Sequence, residues 1–73
     1  MEQVKKKIKE LVEAINLVYV ERGWKVERFM EVDFWCYCNL YLWKTKNNYK
    51  STLYKSMNYN EVKIFLQGYL EAL

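Results

Sequence analysis

Apolar residues along this chain recur at spacings that change from helical to alternating and back again, and these changes, with the turn signals between them, divide it into elements. From Glu2 to Arg22, Val4, Ile8, Leu11, Val12, Ile15, Val18 and Tyr19 lie three, four or one residue apart. On a helix of 3.6 residues per turn they form one stripe, which predicts an amphipathic helix over 2–22. Gly23 follows as a natural left-handed C-terminal cap, with Trp24 placed to fold back on the last turn. Helical spacing then gives way to alternation. In Trp24 to Val32, Val26, Met30 and Val32 share one side while Glu27 and Glu31 share the other, which predicts a first strand. Arg28 and Phe29 break its pattern, so a bulge or turn near Glu31 to Asp33 stays open.

The cleanest alternation is Phe34 to Lys44. Phe34, Cys36, Cys38, Leu40 and Leu42 fall on one side, and Trp35, Tyr37, Asn39, Tyr41 and Trp43 on the other. This reads as one central strand with a wholly apolar face and an aromatic, polar-tipped face. Thr45-Lys46-Asn47-Asn48 supplies paired Asn residues that tolerate positive φ in a tight hairpin turn. Tyr49 to Lys55 is the third strand, with Ser51 and Leu53 on the apolar side and Lys50, Thr52 and Tyr54 on the aromatic side.

Helical spacing returns at the end. Asn58 is a good N-cap, Glu61 stands three residues on as its reciprocal partner, and Met57 and Val62 flank the cap as a hydrophobic staple. Val62, Phe65, Leu66, Tyr69, Leu70 and Leu73 then form one stripe, interrupted on another face by Gly68, which reads as a close approach to another element. The expected fold is α+β in the order α-β-β-β-α, a three-stranded antiparallel meander with two helices packed on one face. At 73 residues it is a single domain, 1–73.

Charge sharpens this picture. The net charge of +3 is too small to imply nucleic acid by itself. Its distribution is uneven, since Lys44, Lys46, Lys50 and Lys55 stand in 34–57 without a single acid. Lys5, Lys6, Lys7 and Lys9 at the start of the first helix read as a solvated face. No run is apolar and long enough to resemble a signal peptide or a membrane span, so the expected compartment is the cytoplasm, with no membrane partner.

The chemical inventory argues against an enzyme. His is absent, which removes the commonest general base and metal ligand. Cys36 and Cys38 are the only soft ligands, and their shared parity predicts buried, inert thiols and not a metal site. The two Gly are isolated, so no phosphate-binding loop exists. Glu27, Glu31 and Asp33 form the acidic cluster, whose expected role is to charge an exposed strand edge. No catalytic residue, metal or cofactor is expected.

What remains is the aromatic face. At ~150 Å² per aromatic side chain, Trp35, Tyr37, Tyr41 and Trp43 present roughly 600 Å², close to the roughly 800 Å² that one partner brings to a standard interface. Trp and Tyr also carry much of the energy of such interfaces. The candidate partner-binding set is Trp35, Tyr37, Tyr41, Trp43, Lys44, Lys46, Lys50 and Tyr54. The expected function is a non-enzymatic module docking a protein. The alternative is a single-stranded nucleic-acid binder, with bases stacked on the rings and phosphates held by the lysines. A second copy of the chain covering the same face, as a homodimer, also stays open.

The element order resembles that of double-stranded RNA binding domains. Those domains use a Lys-rich start to the last helix, whereas Asn58-Tyr59-Asn60-Glu61-Val62-Lys63 holds one basic residue, so the resemblance does not extend to duplex RNA. The short, Lys-, Asn- and Tyr-rich chain ending in Asn60-Glu61-Val62-Lys63-Ile64-Phe65-Leu66-Gln67-Gly68-Tyr69-Leu70 is similar to small accessory proteins of phages and prophages. Several anti-CRISPR and other anti-defence proteins are similar in size and in helix-meander-helix build. The resemblance implies a non-enzymatic blocker of a host complex in a bacterial cytoplasm, and the net positive charge departs from the acidic DNA mimics among them.

Overall fold

The first helical stripe forms α1 (Glu2–Glu21), in which Ile8, Leu11, Ile15 and Tyr19 are buried. A computed structural model describes residues 2–23, 30–35, 37–44 and 49–73, with backbone alone for 43–44 and 49–57. The helix stops as its sequence requires. The Arg22 amide donates to the carbonyls of Val18 and Tyr19, both at 3.1 Å, and the Gly23 amide donates to Val20 at 3.0 Å. Gly23 takes φ 84°, a conformation that costs a residue with a Cβ. The expected packing of Trp24 on the last turn lies outside the described residues.

Two strands follow, β1 (Met30–Phe34) and β2 (Cys38–Lys44), paired antiparallel. Their register is Met30 with Leu42, Glu31 with Tyr41, Val32 with Leu40, Asp33 with Asn39 and Phe34 with Cys38. This corrects the expectation of a single strand over 34–44. Phe34 belongs to the first strand, and the connection is Trp35 to Tyr37, later than the turn considered near Glu31 to Asp33. The reason is physical. A three-residue connection returns the chain with its parity unchanged, so even-numbered residues face the core on both strands and the alternation runs through the turn without a break. The expected start of the first strand, 24–29, lies outside the described residues.

The backbone of β3 (Tyr49–Met57) runs antiparallel along the other side of β2. Trp43 pairs with Lys50, Leu42 with Ser51 and Tyr41 with Thr52. Beyond Tyr41 the register shifts twice, so Leu40 pairs with Tyr54 and Cys38 with Met57. The expected turn at Thr45 to Asn48 lies outside the described residues.

The last element, α2 (Tyr59–Ala72), begins on the predicted cap. Asn58 is extended, at φ −75° and ψ 161°, and its side-chain oxygen accepts from the Glu61 amide at 2.9 Å. The return contact differs from the expected box: the Glu61 carboxylate takes the side-chain amide of Asn58 and not its backbone N–H. The staple expected from Met57 lies outside the described side chains. Gly68 is exposed, and an added Cβ would meet nothing within 4 Å. Among the described residues no close approach requires this glycine, contrary to the sequence expectation.

The architecture is thus α+β, two helices with an antiparallel sheet. One buried cluster joins the elements: Ile8, Leu11, Ile15 and Tyr19 of α1, Met30 of β1, Cys38 and Leu40 of β2, and Val62 and Leu66 of α2. The helices are also tied by polar contacts. The Tyr19 and Tyr69 hydroxyls lie 2.5 Å apart, and the Arg22 guanidinium donates to the Leu73 carbonyl. No described helix is long and apolar enough to cross a membrane.

Candidate functional site

The β1–β2 connection carries the most exposed aromatic pair among the described residues. Phe34 and Cys38, paired across the hairpin, bracket Trp35, Cys36 and Tyr37. The connection lies past the last strand pair, Phe34 with Cys38. Trp35 is accordingly 77% exposed and Tyr37 58% exposed. Both lie at the hairpin tip, not on the flat face of a strand as the sequence predicted. Cys36 lies outside the described residues.

Of the remaining candidate residues, Tyr41 is half-buried in the middle of β2. It stands about 10 Å from the start of that strand at ~3.4 Å per residue. The predicted patch is therefore divided into a tip and a strand portion. Trp43, Lys44, Lys50 and Tyr54 lie on described backbone, with Trp43 opposite Lys50 and Lys44 opposite Tyr49. Their side chains lie outside the described set, as Lys46 does altogether. Tyr54 is displaced from the expected register, since it pairs with Leu40, a fully buried core residue, and not with an outward position.

The outward side of the hairpin also carries acid. Glu31 stands opposite Tyr41, and exposed Asp33 stands opposite Asn39. The sequence grouped these carboxylates as an edge cluster. The register places them beside the odd-numbered residues of β2. Among the described residues no group of three or more His, Cys, Asp or Glu is arranged to hold a metal ion.

On the inward side Cys38 is fully buried. Burial pushes its thiol up to about 11, with the charge of Asp33 adding to the shift. The thiol is therefore neutral near pH 7, the opposite of the lowered value that makes a cysteine reactive. Burial also raises Tyr19 above the ordinary tyrosine range, with the Tyr69 hydrogen bond as the next cause.

Half of the lysine group on α1 is engaged in packing, which the sequence reading missed. The Lys5 ammonium lies 5.2 Å from the centre of the Tyr59 ring, and that of Lys9 lies 5.5 Å from the centre of the Phe34 ring. Phe34 and Tyr59 are themselves in tilted contact at 5.8 Å. The i, i+4 spacing of the two lysines beside the apolar stripe was the available signal. Lys6 and Lys7 are exposed, as a solvated face would be.

A second missed feature lies between α1 and β1. Asn16 directs its carboxamide at Met30, donating to the Met30 carbonyl at 2.7 Å and accepting from the Met30 amide at 2.6 Å. Next to this contact runs a groove of about 300 Å³ lined by Lys9, Val12, Glu13, Asn16, Met30, Glu31, Val32 and Phe34. The sequence signal for it was slight: one amide flanked at helical spacing by Val12, Tyr19 and Val20.

No family model, curated protein or solved structure matches this chain.

Proposed function

We propose that this protein is a non-enzymatic binding module that docks a protein partner through the aromatic tip of its β1–β2 hairpin. The observation that carries the reading is the exposure of Trp35 and Tyr37, two residues apart on one short connection. Two large amphipathic rings held at a hairpin tip favour the aromatic anchoring common in protein interfaces. Tyr41 and Trp43 of β2 form a second portion of the contact area in this reading, with Lys44, Lys46 and Lys50 beside them, while Tyr54, opposite buried Leu40, drops out of the predicted set. The reading takes the sheet as a three-stranded meander with both helices on one face, an arrangement supported by the strand order and the single core.

Single-stranded nucleic acid is the weaker alternative. Glu31 and Asp33 stand opposite Tyr41 and Asn39, so a phosphate chain following the rings would pass carboxylates. A protein partner bringing basic groups to the same place would gain from them.

Within this reading, the partner is a host complex and the chain a phage or prophage accessory protein that blocks it in the bacterial cytoplasm. Small size, the α+β build and the resemblance described above support that role. The test is capture from bacterial lysate with immobilised protein, comparing the natural chain with a Trp35→Ala/Tyr37→Ala variant. Loss of a discrete captured protein in the variant is the expected result. Equal capture by both overturns the assignment of the tip, and retention of oligonucleotides instead of protein favours the alternative.

A further inference from the structure

A strand residue directs its N–H and C=O to the same side, and successive residues alternate sides. Asn16 satisfies both backbone groups of Met30 from the side away from β2. Val32 and Phe34, two and four residues on, therefore also aim their N–H and C=O away from β2. Among the described residues no partner meets those four groups. They face the groove of about 300 Å³ between β1 and α1, whose far wall is Lys9, Val12 and Glu13.

This edge is already engaged at one end in the manner of a strand. The Asn16 carboxamide presents one donor and one acceptor to Met30, as a neighbouring peptide group would. The groove lining continues the same line past Val32 to Phe34.

Charge selects the occupant. Pairing at Val32 and Phe34 places a neighbour's side chain directly opposite Asp33, on the outward face where Asp33 is exposed. A second copy of this chain is a poor fit. With Val32 against Val32 of that copy, Asp33 meets Glu31; with Val32 against Phe34, Asp33 meets Asp33. Like charges directly opposite on neighbouring strands destabilise the pair.

We propose that the open edge of β1 is a strand-pairing site for an extended segment of a protein partner carrying a basic residue opposite Asp33. The segment hydrogen-bonds Val32 and Phe34 through its backbone and turns its inward side chains toward Val12 and Phe34, along the wall formed by Lys9, Val12 and Glu13. This is the β-augmentation mode, in which main-chain bonds give affinity and alternate side chains give specificity. It concerns a surface separate from the Trp35 and Tyr37 tip and stands independently of that assignment.

The test uses the full chain and capped eight-residue peptides of alternating valine and lysine, followed by amide chemical shifts. Saturable shifts at Val32 and Phe34 are expected, with binding weakened roughly five-fold or more when glutamate replaces lysine. Methylating the peptide nitrogens that face β1 abolishes binding. Asp33→Lys reverses the preference toward the glutamate peptide, a change that loss of structure would not produce. Val32→Pro removes one outward donor and weakens both peptides. Absence of binding, equal binding of lysine and glutamate peptides, an unchanged preference in Asp33→Lys, or self-association through β1 without peptide each overturns the proposal.

Discussion

The Asn16 carboxamide and the Met30 backbone form a reciprocal pair, with one hydrogen bond of 2.7 Å and one of 2.6 Å between a helix side chain and the start of a strand. The pair ties α1 to the start of β1 on the side away from β2. Asn16→Ala removes both bonds and leaves Met30, whose side chain is fully buried, without them. The expected loss is about 2–3 kcal/mol, from two net hydrogen bonds and the poorer solvation of the backbone groups. Thermal unfolding measures it, and faster amide exchange at Met30 localises it. Asn16→Asp keeps the acceptor and loses the donor, so its destabilisation falls between the natural chain and Asn16→Ala.

The two glycines should respond in opposite directions. Gly68 is exposed in α2 with space for a Cβ, so Gly68→Ala should stabilise by about 0.5–1 kcal/mol through helix propensity. Gly23 holds φ 84°, so Gly23→Ala should destabilise by about 1 kcal/mol despite equally open space. At ~4–8 °C per kcal/mol for a domain of this size, both shifts are readable in a melting curve.

Cys38 links core packing to pH. Its folded thiol titrates near 11 against an ordinary value of 9.0. Because the folded value is the higher one, the contribution is fully present below about 9 and is lost as pH rises toward about 11. Stability followed by denaturant titration should decline across that window. In a Cys36→Ser background, Cys38 should resist thiol reagents at pH 8 until the chain is unfolded. Rapid modification of the folded protein would contradict its burial.

The Tyr19 and Tyr69 hydroxyls, 2.5 Å apart, connect the C-terminal halves of the helices. A double-mutant cycle with Tyr19→Phe and Tyr69→Phe should return a coupling of about 0.5–1.5 kcal/mol. Additive losses would show that the two hydroxyls do not act as a pair.

The helices were legible in the sequence because their signals are local. The stripe from Ile8 to Tyr19, the cap at Gly23 and the cap at Asn58 each depend on residues a few positions apart. The inward face of the sheet was legible for a similar reason, since Met30, Cys38 and Leu40 share parity and are all buried. The first hairpin was hidden by that same parity. Phe34 and Cys38 both turn inward, so an unbroken alternation concealed a turn built from Trp, Cys and Tyr with no Gly or Asn to mark it. The site inherited the error: Trp35 and Tyr37 were expected on a strand face and lie at a tip. The α1–β1 groove was out of reach, because it depends on contacts such as Asn16 with Met30, fourteen positions apart.

The hairpin tip is the centre of the functional account, and an amide-exchange footprint of the protein bound to a captured partner tests it most directly. The account predicts slowed exchange concentrated in the connection and strand ends, 34–38, with the outer surfaces of α1 and α2 unchanged. Protection confined to the helices, where Leu17, Val20 and Ile64 are also exposed, would contradict it.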